Sequence, residues 1–268
     1  MVKDDIFPYY KRCVDYYDMV YNALKSQMSR EQFEELFAIR GYFGDEQRKL
    51  LRKMRMGYCN IDDASVLGSD RNEFGLVSSK DNFLLDGRFI IPVHDIAGNI
   101  VSLIGYYPDY KKYITCPSPF FSKDCMFFNF KDAYDLSWRE YGGYVILVEG
   151  IFDCLSLKSI GLPAIATMGS NVSKTKGELL RFFSKVLGIP DDDKTGHAAL
   201  NRYSRSGWKV PSNTTMLKFK GGTFDANGTK LHCKDMDNFV SWYEADDVRE
   251  ILLSYRDCKE DIVEFSIE

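Results

Sequence analysis

None of the seven cysteines, Cys13, Cys59, Cys116, Cys125, Cys154, Cys233 and Cys258, forms a Cys-x-x-Cys pair, and the chain has only three histidines. That combination cannot supply the ordinary zinc-ribbon spacing, so no zinc is expected. An odd number of thiols behind no secretory leader reads as reduced cysteines acting as small apolar residues. Long apolar runs are also missing. VILV at 145–148 falls far short of the roughly 20 residues that span a bilayer, and the opening MVKDD precedes no leader-like apolar segment. These features read as a soluble cytoplasmic protein without membrane contact. Nor is there an excess of one charge: 35 Lys and Arg face 39 Asp and Glu, a formal −4, so nucleic-acid binding would need a local patch. What is present is 268 residues, 45% hydrophobic, enough for one large or two small domains with their own cores.

From about residue 6 to 60, apolar residues recur at helical spacing, through VDYYDMVYNALKSQM and REQFEELFAI, and Ser29 and Gln32 are spaced for a capping box. FGDEQRKLLRKMRMGY then carries Arg48, Lys49, Arg52, Lys53 and Arg55, which suits a solvated helix face or a phosphate-contacting surface. Between about 83 and 128 the period becomes strand-like: RFIIPVHD, an AGN turn at 97–99 and IVSLIGYY predict a β-hairpin. Beyond it, YVILV, FDCLSLKSIGL, PAIATMG, KTKGELLRFFS and KVLGIP alternate strand with helix, which predicts right-handed βαβ units and a parallel sheet. The Gly-, Asn- and Ser-rich stretch 205–230 reads as a turn-rich connection. The tail from Ala245 reads as a short amphipathic helix that caps the sheet, with docking of a partner as the alternative.

In a parallel α/β sheet, ligands collect at the carboxyl ends of the strands. Glu149 stands where YVILV stops, with Asp153 close behind; Asp191 and Asp193 follow the third strand, and Asp235 and Asp237 form a later pair. Brought together, these carboxylates would repel one another unless a cation intervened. Hard oxygen donors without His or Cys suit Mg²⁺ or Mn²⁺, and two such ions clamp the attacking and leaving oxygens of phosphoryl transfer. An Asp-x-Asp pair alone is common in surface turns. Its position at successive strand ends is what makes it informative.

VEGIFDCLSL at 148–157, ATMGSN at 166–171, IPDDDKTG at 189–196 and KDMDNF at 234–239 resemble the motifs of the TOPRIM domain, in the version found in bacterial and phage DnaG-type primases. Upstream, IRGY at 39–42, GRFIIPVHDIAGNIVSLIG at 87–105 and KKYITCPSP at 111–119 are similar to the basic subdomain of those primases, and together the likeness covers roughly residues 30–245. The resemblance implies an α/β protein with a TOPRIM catalytic domain over 141–268, behind an N-terminal helical/α+β basic, nucleic-acid-binding subdomain over 1–140.

It implies a nucleotidyltransferase, a DNA-dependent RNA polymerase that makes short primers from ribonucleoside triphosphates on single-stranded DNA. The alternatives are a metal-dependent TOPRIM nuclease or a non-catalytic single-strand-binding replication subunit. Carried over residue by residue, Glu149, Asp191, Asp193, Asp235 and Asp237 hold the metal, with Glu149, Asp191 and Asp193 catalytic and Asp153 in support. Arg40, Arg88, Lys112, Tyr113 and Lys123 contact template or nucleotide, and Tyr106 and Tyr107 join Tyr113 as aromatics available to stack on bases. Asp192 departs from the small residue usual at its position, and Tyr106 stands where the family has an arginine. Counterparts of a zinc ribbon and a helicase-binding region are not recognised, which suggests a phage-like polymerising core that works with a replicative helicase and a separate template-recognition factor.

Overall fold

The computed structural model describes residues 3–25, 29–40, 48–49, 56–60, 67–78, 80, 82–108, 112–201, 207–226 and 229–267. It divides into two compact units, residues 1–43 with 51–122 and residues 44–50 with 123–268. The expected division at 140/141 falls inside the second unit. Of the basic segment after Gly44, Arg52, Lys53 and Arg55 lie outside the described residues, as do Gly41 and Tyr42. Among the described residues no helix is long and apolar enough to cross a membrane.

Among its described residues the first unit has two α-helices, α1 (Lys3–Lys25) and α2 (Arg30–Arg40), and four strands, β1 (Gly57–Tyr58), β2 (Phe89–His94), β3 (Ile100–Tyr107) and β4 (Lys112–Thr115). The strands form an antiparallel sheet in the order β1-β2-β3-β4, and the predicted hairpin is β2–β3. The capping box at the start of α2 forms as its spacing requires: Gln32 N–H donates to Ser29 Oγ at 3.2 Å, and Ser29 N–H to Gln32 Oε1 at 2.8 Å. Helix α1 presents Cys13, Tyr17, Val20 and Leu24 to a core shared with Phe74, Leu85, Ile90 and Leu103. A single carboxylate ties helix and hairpin together at the rim. The Tyr10 hydroxyl donates to Asp95, which also accepts the Ala97 and Asn99 amides at 2.9 Å each across the turn.

The second unit runs α3 (Phe130–Glu140), β5 (Tyr144–Val148), α4 (Ile151–Ser159), β6 (Ala164–Ala166), α5 (Lys174–Leu179), β7 (Lys185–Ile189), α6 (Lys194–Ala199), β8 (Thr214–Lys220), β9 (Thr223–Ala226), β10 (Thr229–His232), α7 (Met236–Trp242), α8 (Ala245–Ser254) and β11 (Ile262–Ser266). Five strands make a parallel sheet in the order β11-β8-β7-β5-β6. The chain leaves β5 for β6 on one side and returns for β7 on the other. This puts the switch point of the sheet, where a crevice opens at the strand ends, between β5 and β7.

Two expectations are corrected in this unit. The stretch 205–230 is not simply a connection: it holds β8, whose Met216, Leu217 and Phe219 are buried between β7 and β11, and the two strands of the β9–β10 hairpin. The flanking glycine and asparagine residues obscure a strand whose apolar residues needed a sheet on both sides. The tail is a helix followed by a strand, with Ile262–Ser266 pairing parallel to Met216–Lys220, so it extends the sheet as well as covering it.

Leu187 is fully buried at the middle of β7, the central strand of the five-stranded sheet. Leu187→Ala is expected to cost about 2–5 kcal/mol in urea unfolding. A loss below about 1 kcal/mol would mean that the sheet centre repacks freely.

Candidate metal centre at the strand ends

The pairing of Val148 with Ile189 sets Glu149 and Asp191 just beyond the carboxyl ends of neighbouring strands. The Asp191 amide donates to Glu149 Oε1 at 3.3 Å. Burial pushes the Glu149 carboxyl up to about 7, with the Asp191 and Asp193 charges adding to the rise. Asp191 is likewise pushed up to about 7, first by burial and then by Asp235. Two half-buried acids at the switch point therefore hold protons that ordinary carboxyls would release well below neutrality.

Three further aspartates are engaged by backbone amides. Asp193 caps α6, accepting from Thr195 and Gly196 at 2.8 and 2.9 Å, and Asp235 caps α7, accepting from Asn238 at 2.9 Å. Buried Asp153 accepts from Gly150 at 3.1 Å and from the Asp237 amide at 2.8 Å, which joins the starts of α4 and α7. Burial raises its pKa well above the ordinary value, followed by the charges of Asp235, Asp191 and Asp237. Asp237, expected among the metal ligands, is only 4% exposed and accepts from Ser156 Oγ at 2.5 Å, so its carboxylate is turned onto α4.

Asp192, the extra charge in the turn, has a structural use. Its side chain takes the Gly221 amide at 3.0 Å and lies 2.7 and 3.3 Å from His197 Nε2 and His232 Nε2, while its own amide donates to Lys234 O at 2.7 Å. It stitches the 190–193 turn to the segment that carries Asp235. Gly196 lies so close to this turn that a Cβ there would collide with the Asp191 carbonyl.

Two lysines that sequence reasoning left unassigned also belong to the site. Lys234 Nζ is 3.6 Å from Asp235 Oδ2; burial opposes its charge, but Asp235, Asp191 and Asp153 together hold its pKa above the ordinary value. Lys176, 1% exposed, donates to Thr167 O at 2.6 Å. Thr167 begins the turn from which the Met168 amide donates to Glu149 O at 3.1 Å.

Among the described residues no group of three His, Cys, Asp or Glu side chains is already spaced to hold a metal ion. Asp153, Asp193, Asp235 and Asp237 are instead turned to nearby amides or a hydroxyl. The donor chemistry still fits a hard cation. Glu149, Asp191, Asp193 and Asp235 offer oxygen alone, and the first two have raised pKa values caused first by burial and then by neighbouring carboxylate charge, which a cation would offset.

The residues expected to meet nucleic acid fall mainly on the first unit. Arg40 Nη1 lies 3.5 Å from the Tyr106 hydroxyl, and the Tyr106 and Tyr113 rings are 4.9 Å apart. Arg88 donates to Leu84 O at 3.1 Å, with its guanidinium over the Tyr107 ring. Lys112 and Tyr113 are exposed on β4, whereas Tyr106, the cross-strand partner of Tyr113 on the same face of the sheet, is fully buried and unavailable to stack on a base, a correction that comes from packing and not from strand parity. Lys123 is exposed in the second unit.

Residues 146–230 match the Toprim-like family model. The fold is similar to the RNA polymerase domain of Mycobacterium tuberculosis primase DnaG, with TM-score 0.69 and 16% identity over 90% of this chain and 82% of that one. It is also similar to the Aquifex aeolicus primase zinc-binding and RNA polymerase domains, with TM-score 0.66 and 24% identity over 90% of this chain and 60% of that one. The chain has the fold of DnaG-type primase cores and, over residues 146–230, a likeness to the Toprim-like family. In sequence it is 28% identical to the DNA primase of Clostridium acetobutylicum over 75% of this chain and 37% of that protein. It is 32% identical to that of Thermotoga maritima over 47% of this chain and 23% of that protein. The chain spans 23% to 37% of the length of the curated primases it matches.

The acidic site of this DnaG-like core predicts an inverted pH dependence. Carboxyls with raised folded pKa values favour the folded state below the ordinary carboxylate range, 4.5 for Glu and 3.8 for Asp, and that stability is lost as pH climbs to about 7. In chelator, the wild-type Tm should fall between pH 5 and pH 8. Glu149→Gln should flatten the fall and be the more stable protein at pH 8, by on the order of 2 kcal/mol. A wild-type Tm that rises across this window would remove the electrostatic account.

Proposed function

We propose that the chain is the catalytic core of a DNA primase, a DNA-dependent RNA polymerase that makes short primers from ribonucleoside triphosphates on single-stranded DNA. The observation that carries the reading is the placement of Glu149 and Asp191 side by side at the switch point of a parallel sheet, within a fold similar to primase cores. One of those similar structures is a DnaG primase catalytic domain bound to single-stranded DNA.

In this reading Glu149, Asp191, Asp193 and Asp235 hold Mg²⁺ or Mn²⁺, while Asp237, turned onto Ser156, orients α7. Metal held there would supply Lewis-acid activation of the primer 3′ hydroxyl and charge stabilisation of the pyrophosphate leaving group. The protein's own part is positioning. Asp153 ties α4 to α7, Asp192 ties the aspartate turn to the following loop, and Lys176 fixes the turn beneath Glu149. No histidine is required as a base, because in-line nucleotidyl transfer depends on alignment and charge stabilisation. Arg40, Arg88, Lys112 and Lys123 supply positive charge for template or nucleotide phosphates, and exposed Tyr113 supplies a stacking face.

The test is primer synthesis from labelled ribonucleoside triphosphates on mixed-sequence single-stranded DNA with Mg²⁺ or Mn²⁺, comparing wild type with Asp191→Ala. Short RNA should appear with wild type and fall by roughly 10²-fold or more in the variant, since loss of metal charge stabilisation removes several kcal/mol. Template degradation without synthesis, lost in the same variant, would replace the primase with the nuclease. Single-strand binding should weaken steeply with salt, and Lys112→Ala should lower the slope of log Kd against log salt by about one, as expected for one phosphate contact. An unchanged slope would take Lys112 out of the interface.

A further inference from the structure

The acidic centre has one lysine within ion-pair distance of an expected ligand among the described residues: Lys234 Nζ stands 3.6 Å from Asp235 Oδ2. Its backbone is pinned on both sides. Lys234 O accepts the Asp192 amide at 2.7 Å, which anchors it to the turn bearing Asp191 and Asp193, and Asp235 follows it directly as the cap of α7. The ammonium is thus tethered between the two acidic segments by a short, fixed stretch of chain. Its side chain remains half exposed, so it is free to swing away without opening the core.

We propose that Lys234 is a built-in counter-ion of the carboxylate centre, occupying its positive-charge position in the metal-free protein and yielding it to a divalent cation. The proposal rests on the reading of Glu149, Asp191, Asp193 and Asp235 as the cation site. A monovalent ammonium offsets only part of the charge of several carboxylates, and it cannot be coordinated by several oxygens at short range as a divalent ion can. The two cations share the same partners, and each disfavours the other by like-charge repulsion. Lys234 therefore has opposite effects on two measurable quantities. It stabilises the metal-free fold by holding the acidic segments together, and it weakens cation binding by competing for them. A lysine that merely supported the fold would move both quantities in the same direction.

The experiment is a Mn²⁺ titration followed by electron paramagnetic resonance, with melting curves in chelator and in saturating Mn²⁺, on the full chain as wild type, Lys234→Met, Lys234→Arg and Asp191→Asn. Lys234→Met is expected to bind Mn²⁺ roughly 3- to 10-fold more tightly, the effect of removing one partly screened charge a few ångströms away. It should also melt lower than wild type in chelator and close to it in saturating Mn²⁺. Lys234→Arg, which keeps the charge, should stay within about twofold of wild type in affinity. Unchanged or weaker Mn²⁺ binding by folded Lys234→Met, alongside strongly weakened binding by Asp191→Asn, would overturn the counter-ion role and leave the cation site standing. Wild-type binding by Asp191→Asn would overturn the cation site itself, and the role of Lys234 with it. Should Lys234→Met fail to fold, Lys234→Gln carries the same comparison with a polar side chain suited to the half-exposed position.

Discussion

Negative charge gathered at one end of a parallel sheet is the constraint around which the second unit is organised. Carboxylates at neighbouring strand ends cannot be buried for stability alone, because desolvation and mutual repulsion both oppose it. The fold tolerates them by giving each a short-range partner. Asp193 and Asp235 sit on helix N-termini, where backbone amides and the helix dipole favour an anion, and Asp153 takes two amides from different helices. Asp192 gathers an amide and two imidazoles. Glu149 and Asp191, at the crevice itself, have the least such help, and they are the pair whose pKa values approach neutrality.

The first unit meets a different demand with similar means. Its arginines are not loose surface charges: Arg40 leans toward the Tyr106 hydroxyl, and Arg88 is held by a carbonyl beneath it and lies over an aromatic ring. Such partners lower the rotamer entropy that a phosphate contact would otherwise remove. Tyr106, fully buried, packs against Tyr113 and lies within reach of Arg40, while Tyr113 stays exposed.

What could be read from the sequence was what depends on neighbours in the chain. Ser29 and Gln32 form their capping box within four residues, the AGN turn closes its hairpin, and the run YVILV ends in a carboxylate at the strand terminus. Structure assembled from distant parts was less accessible. Strand β8 needed β7 and β11 to explain its burial, and the inward turn of Asp237 depends on Ser156, eighty-one residues away. The burial of Tyr106 needed the pairing of β3 with its neighbours, and Lys176 was hidden because a buried lysine has no pattern of its own. The acidic motifs lie on segments that meet at the strand ends, and the direction each carboxylate takes there depends on helix packing.

The order β11-β8-β7-β5-β6 also bears on how the sheet breathes. Opening fluctuations start at edges, where amides exchange with solvent through partial unfolding that leaves the centre intact. Here β11 and β6 form the edges, and β5 and β7 are flanked on both sides by paired strands. Fraying at either margin can admit solvent without separating Glu149 from Asp191. The most slowly exchanging amides of this unit should therefore lie directly behind its acidic crevice, so that its least mobile scaffold and its most strongly repelling charges share the same two strands.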